Sequence, residues 1–162
     1  MKLLFVLFFT TLFLVTPDLN KIREDYINAV HSKENTEKLY NDLAVVSKGD
    51  AKILVAYKGA VTTLKAKFAQ SPKDKKELFK EGATLIEYAA AEDPDNIEIR
   101  CIRLGVQENT PKVLKYRKNI PEDKQYILDH YNEITSSKLK GYIKGFILHS
   151  KSFTETEKAS FN

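Results

Sequence analysis

Residues 51–69 read AKILVAYKGAVTTLKAKFA, and residues 71–96 read SPKDKKELFKEGATLIEYAAAEDPDN. In the first stretch Leu54, Tyr57, Val61, Leu64 and Phe68 recur every three or four positions, and Ile53, Ala56 and Ala60 widen the stripe. That is the period of an α-helix, and so wide an apolar face implies a central helix packed on two sides. In the second stretch Ser71 is an N-cap and Pro72 occupies the first helical position. Leu78, Phe79, Gly82, Ala83, Ile86, Ala89 and Ala90 then form its buried stripe. Val45-Val46 and Ile53-Leu54-Val55 are β-branched clusters, but each lies inside a longer helical period, so no strand is predicted.

The same reading extends in both directions. Asp18 caps a helix reaching about His31, and Ser32 caps a second whose stripe is Leu39, Tyr40, Leu43 and Val46. Lys48-Gly49-Asp50 reads as a stop followed by a new N-cap. Beyond the Asp93-Pro94-Asp95-Asn96 turn, a fifth helix runs to about Gln107 with Ile97, Ile99, Cys101, Ile102, Leu104 and Val106. Thr110-Pro111 starts a short sixth, Pro121 a seventh and Ser136-Ser137 an eighth. Connections this short favour antiparallel neighbours. The fold class expected is all-α: antiparallel helical hairpins in a bundle of seven to eight helices, with residues 18–151 as one domain and residues 152–162 as a tail or short last helix. Gly82, on an apolar stripe, predicts a close approach of another backbone, and Gly141-x-x-x-Gly145 predicts the same for the last helix.

The N-terminus is different in kind. Met1-Lys2 precedes an uncharged run, Leu3 to Val15, in which only Thr10 and Thr11 are polar. As a helix it would span about 20 Å at ~1.5 Å per residue, short of a ~30 Å bilayer core. A basic start followed by an apolar run of this length is the pattern of a secretory signal peptide, residues 1–17, so export is expected. No Ala-x-Ala triplet marks the cut, and Pro17 stands where it would fall; processing is expected between Thr16 and Leu19, the alternative being an uncleaved membrane tether. No other transmembrane span is predicted.

Charge and cysteine content narrow the function classes. The net charge is +4, unevenly placed: residues 18–109 carry 15 basic and 16 acidic side chains, residues 110–151 nine and four. A basic C-terminal third attracts anionic partners, the plain alternative being a solvated lysine-rich surface. Export and so small a net charge argue against nucleic acid. Cys101 is the only cysteine, so no intramolecular disulfide forms, and its apolar neighbours mark a core residue.

Two resemblances follow from these residues. Phe79, Gly82, Ala83, Ile86, Ala89 and the Asp93-Pro94-Asp95-Asn96 turn resemble the second helix and closing turn of a tetratricopeptide repeat, over about a quarter of the chain. This likeness implies a repeat-like, α-solenoid-like helical pair, and such pairs stack in arrays of about three or more. The whole chain, in Ala56-Tyr57-Lys58-Gly59-Ala60, Asp93 to Arg100 and Val106 to Pro111, is similar to a group of small exported all-helical proteins of Bacteroidetes that carry no assigned function. That resemblance implies a Gram-negative envelope location, periplasmic or extracellular, and no chemistry.

The chain lacks H-E-x-x-H, C-x-x-C, P-loop, G-x-G-x-x-G and G-x-S-x-G patterns, so no catalytic residue, metal or cofactor is expected. His31, His130 and His149 fall near helix ends, where imidazole suits the helix dipole. One region is dense in polar groups. Arg100, Arg103 and Gln107 descend the fifth helix, Glu108-Asn109-Thr110 cap the next, and Tyr116, Lys118, Asn119 and Asp123 follow shortly after. Arg103 shares a stripe with Ile99 and Val106, so its guanidinium is expected to be buried and to find partners. Those partners are either an anionic ligand, or backbone carbonyls and Glu108 that fasten one helix to the next. Tyr57, Lys58, Thr62 and Lys65 on the third helix are groove candidates, the alternative being a solvated stripe. The leading expectation is a non-catalytic interaction module that binds a protein or peptide. The rival is a protein that binds a small anion or envelope lipid through the Arg100, Arg103 and Gln107 region.

Overall fold

The computed structural model describes residues 18–161, so the expected signal segment, residues 1–17, lies outside the described residues. Among the described residues there are eight α-helices and two 3-10 turns and no strand, so the chain is all-helical. The helices are α1 (Leu19–Ala29), α2 (Lys33–Asp42), α3 (Lys52–Phe68), α4 (Pro72–Glu92), α5 (Ile97–Asn109), α6 (Ile120–His130), α7 (Ser137–His149) and α8 (Glu155–Ala159).

Local chemistry explains most of the starts. Side-chain oxygens of Asp18, Ser32, Ser71, Asn96 and Ser136 accept hydrogen bonds from the backbone N–H groups that open α1, α2, α4, α5 and α7. Each such cap contributes about 1 kcal/mol. Three expectations fail here. α2 stops at Asp42, and Leu43 and Val46 are buried from a non-helical loop. Asp50 does not cap α3: its carboxylate accepts from Ser47 N (2.7 Å) and Ser47 Oγ (2.8 Å), closing that loop instead. Ala51 takes the cap position with no side-chain bond. The helix expected after Pro111 is a single 3-10 turn, Lys112–Leu114, whose Val113 and Leu114 are exposed.

α3 is the centre of the molecule. It runs antiparallel to α4, as the contacts Thr63 to Gly82 and Gly59 to Ile86 show. The two backbones meet where a Cβ on Gly82 would lie 2.5 Å from the Gly59 carbonyl oxygen, and one on Gly59 would lie 2.7 Å from the Gly82 oxygen. Only two facing glycines permit that approach, as the position of Gly82 on its stripe implied. Gly141 and Gly145 differ, since a Cβ on either would have no neighbour within 4 Å; they face open space.

Two apolar clusters form the core. The larger joins α1 to α5 around Tyr57, Val61, Leu39, Ile86 and Ile99; the smaller joins α5, α6, α7 and the C-terminus around Leu104, Ile127, Ile143 and Ile147. α5 serves both, with Ile99 and Ile102 on one side and Cys101 and Leu104 on the other. Burying each such aliphatic side chain contributes roughly 1.5–3 kcal/mol. The C-terminal residues belong to this packing: Phe153 is buried against Phe146, and Phe161 meets Tyr131 edge-on. α8 carries a reciprocal Thr154–Glu157 capping box, so the described residues after α7 form a short last helix packed on the core.

Candidate functional site

α5 and α6 run antiparallel, with Gln107 opposite Asn119 and Arg103 opposite Asp123. This pairing assembles the polar region singled out in the sequence. Arg103 donates from Nε to Asp123 Oδ2 (2.7 Å) and from Nη2 to Asp123 Oδ1 (2.6 Å), a fork-on-fork pair. Its remaining nitrogen, Nη1, reaches Glu87 of α4 at 3.3 Å. Arg100 Nη1 bridges Glu122 (2.9 Å) and Asp123 (3.2 Å), its Nε donates to the Pro94 carbonyl, and its guanidinium lies over the Tyr126 ring. Burial works against the Arg103 charge, but the hydrogen bonds and charge of Asp123, with Glu87 behind, raise its pKa above the ordinary guanidinium range.

Gln107 is wholly buried and exchanges two hydrogen bonds with Asn119, one to its backbone N–H and one to its side chain. The Tyr116 hydroxyl donates to Glu87 (2.7 Å), and its ring meets Phe79 edge-on. Arg100, Arg103, Gln107 and Tyr116 therefore do come together. Asn109 and Lys118 do not join them: Asn109 bonds the Gly105 carbonyl and Lys151, and Lys118 is exposed without a bond into the cluster. All three guanidinium nitrogens of Arg103 face a carboxylate of the same chain, and Arg100 Nε and Nη1 face a carbonyl and two carboxylates. An anion arriving at Arg103 would have to displace Asp123, whose side chain has no exposed surface.

A second buried network stitches α1, α3 and α5. Arg23 Nε and Nη2 donate to the two carboxylate oxygens of Glu98, each at 2.7 Å, and the Tyr57 hydroxyl donates to Glu98 Oε1 at 2.7 Å. Burial, and then the nearby Tyr142 and Glu98, push the Tyr57 phenol far above its ordinary range. Among the described residues no buried side-chain nitrogen or oxygen lacks a partner.

Of the groove candidates, Tyr57 and Thr62 are corrected: both are wholly buried, Tyr57 in the Glu98 network and Thr62 bonded to the Lys58 carbonyl. The apolar face of α3 is covered on both sides, so these positions line no groove and no solvated stripe. Lys58 and Lys65 do reach open grooves, two neighbouring ones that share Glu77 and Glu81 of α4. The first, about 500 Å3, has Val46, Val55 and Leu85 on its floor, Lys48, Lys58 and Lys80 around it, and Glu77 and Glu81 along α4. The second, about 580 Å3, is more polar, with Lys33, Glu37, Lys65, Phe68 and Leu78. Lys58 Nζ also donates to the Ala44 and Val46 carbonyls, and the Tyr88 hydroxyl donates to the Lys48 carbonyl, so the loop forming one wall is held at both ends.

Compared with family models, curated proteins and solved structures, the chain matches none. The site therefore has to be read from its own geometry.

Among the described residues no group of three or more His, Cys, Asp or Glu side chains is placed to hold a metal ion. Cys101 is buried, and that burial raises its thiol well above its ordinary range. His130 and His149 each bond the carbonyl four residues back at a helix C-terminus, as the dipole argument expects.

Sequence reading missed two carboxylates that organise the buried charges, Glu87 and Glu98, and placed Asp123 in the polar region without pairing it to Arg103. Glu108, the expected partner of Arg103, instead accepts from Ser150, Lys151 and Ser152. A signal existed for Glu98 and for the burial of Asp123. Glu98 stands three and four residues before Cys101 and Ile102, and Asp123 four before Ile127, so each lies on a buried helical stripe.

Proposed function

We propose that this protein is a non-catalytic interaction module of the bacterial cell envelope that binds a peptide segment of a partner protein. The observation that carries the proposal is the first groove beside α4. It is open to solvent, its floor is apolar, and three lysines, Lys48, Lys58 and Lys80, stand against two glutamates. Val45, 83% exposed, precedes the groove residue Val46 in the chain. Such a groove fits a short segment with one or two apolar side chains and acidic flanks.

The α3–α4 hairpin supports the repeat-like part of this reading. Its antiparallel helices cross on facing small residues, as paired helices of tetratricopeptide type do, and the groove opens beside it. Export to the periplasm or cell surface rests on the residue pattern of positions 1–17. The rival reading, an anion or lipid held by Arg100, Arg103 and Gln107, requires an exchange of Asp123 for the ligand, and nothing in the packing provides for it.

Selection from a random peptide library tests the proposal. The enriched peptides are expected to combine apolar and acidic residues and to bind Leu85→Glu and Lys80→Glu variants at least tenfold more weakly, with unchanged circular dichroism. Enriched peptides that bind both variants as tightly as the wild type would remove the groove from the reading.

A further inference from the structure

The segment Pro111 to Lys118 is built unlike the rest of the surface. Its two feet are pinned. Thr110 Oγ1 donates to the Val106 carbonyl at 2.7 Å, Tyr116 is held by Glu87 and Phe79, and Arg117 Nη2 reaches the Glu108 carbonyl. Between the feet the Lys112–Leu114 turn closes on Lys115, whose φ of 52° makes it the one non-glycine residue in the left-handed region among the described residues. This bend carries Val113 and Leu114 at the tip, 82% and 43% exposed, where a polar residue would ordinarily stand.

Charge surrounds that tip on one side of neutrality only. Lys112, Lys115, Arg117 and Lys118 fall within seven residues, and no acidic residue occurs between Glu108 and Glu122. No carboxylate among the described residues pairs with any of the four. Lys151 stands at the same end of the molecule, bonded to Asn109. None of the grooves described above is lined by residues 112–118. The feature is an exposed knob, hydrogen-bonded at both feet, with two apolar side chains at its tip and the four cations beside them in the chain.

We propose that this knob docks the protein on an anionic lipid bilayer, with Val113 and Leu114 entering the headgroup region and the neighbouring lysines resting on lipid phosphates. An exposed tip that lines neither groove suits a deformable surface, which needs no complementary slot. Apolar insertion and cationic attraction are together the two contributions that hold peripheral proteins on membranes. Because Thr110, Tyr116 and Asn119 already fix the feet, docking orders no further backbone. The site is separate from the groove beside α4, so the two readings stand or fall independently.

The chain contains no tryptophan, so Val113→Trp places a single reporter at the tip. The full chain is used throughout; its apolar Leu3–Val15 run is common to every variant and cancels from comparisons between them. With vesicles of equal phosphatidylglycerol and phosphatidylcholine, the emission of the reporter is expected to shift to the blue, and with pure phosphatidylcholine to stay unchanged. Raising NaCl from about 0.1 M to about 1 M shortens the screening length from ~10 Å to ~3 Å and is expected to abolish the shift. Replacing Lys112, Lys115 and Lys118 by glutamine in the reporter chain is expected to weaken binding about fivefold per lysine, roughly a hundredfold together. Three results would overturn the proposal: no blue shift with anionic vesicles, an equal shift with neutral ones, or unchanged affinity in the glutamine variant. Salt-sensitive binding to soluble polyglutamate with no shift on vesicles would assign the knob to an acidic protein surface and overturn the lipid reading equally.

Discussion

Replacing Asp123 by asparagine removes one charge and almost no volume, and the structure makes that change severe. The carboxylate exposes nothing, and it accepts two hydrogen bonds from Arg103 and a third from Arg100. The Arg103 side chain is 8% exposed, and after the change its only remaining carboxylate is Glu87, at 3.3 Å and on a side chain 36% exposed. An uncompensated buried charge of this kind costs about 3–5 kcal/mol. For a domain of this size each kcal/mol lowers Tm by roughly 2–4 °C, so a fall of about 10–15 °C is expected. Urea unfolding followed by far-ultraviolet circular dichroism measures the loss, with the slope m unchanged if both states keep their compactness. The double variant Arg103→Met, Asp123→Leu is expected within about 1 kcal/mol of the wild type, because well-packed apolar side chains replace a buried ion pair at little cost. The pair would then show a coupling energy above about 2 kcal/mol. If Asp123→Asn unfolds within about 0.5 kcal/mol of the wild type, or if the two substitutions simply add, the clasp is not desolvated and the reasoning fails.

Two further predictions concern stability. Burial raises the phenol pKa of Tyr26, Tyr57, Tyr116 and Tyr142 above the ordinary value of 10.0. Below about pH 10 both folded and unfolded chains keep these protons and stability is intact. Above it the unfolded chain releases protons that the folded chain retains, so stability is lost as pH rises, by about 1.4 kcal/mol per pH unit for each tyrosine. Tyrosinate absorbance for these four groups is expected to appear only together with loss of circular dichroism; ionisation while the fold persists would contradict their burial. Glycine replacement separates packed from open positions. Gly141→Ala and Gly145→Ala are each expected to stabilise by about 0.5–1 kcal/mol through helix propensity alone. Gly82→Ala carries the same gain but sets a Cβ against the Gly59 carbonyl, so a net loss of about 1–2 kcal/mol is expected by thermal unfolding. A gain at Gly82 would show that α3 and α4 separate freely.

How much was legible in the sequence depended on the distance over which each interaction is decided. Caps and stripes act within four residues. Ser71 and Pro72 therefore announced α4, Asn96 the turn into α5, and Gly82 a close backbone approach, each from the sequence itself. The failures mark a limit of the same rule. Leu43 and Val46 keep a helical spacing yet are buried from a loop, because burial alone does not distinguish a helix from a segment pinned by Lys58 and Asp50. Nor could spacing separate Gly82 from Gly141, since only the facing helix determines whether the space is filled.

The candidate site divides in the same way. That Arg103 would be buried and in need of partners followed from the stripe it shares with Ile99 and Val106. That the partner is Asp123, twenty residues on, followed only from the antiparallel packing of α5 on α6. Tyr57 and Thr62 were drawn into a groove by their polar atoms and removed from it by the packing of neighbours on both faces of α3. The all-helical class, the helix starts and the presence of a charged cluster were thus written along the chain. Which charges meet, which grooves stay open and which apolar tip is left uncovered were decided by the crossing of helices, because hydrogen-bonded turns close over four residues while side chains from distant helices meet only once the core has packed.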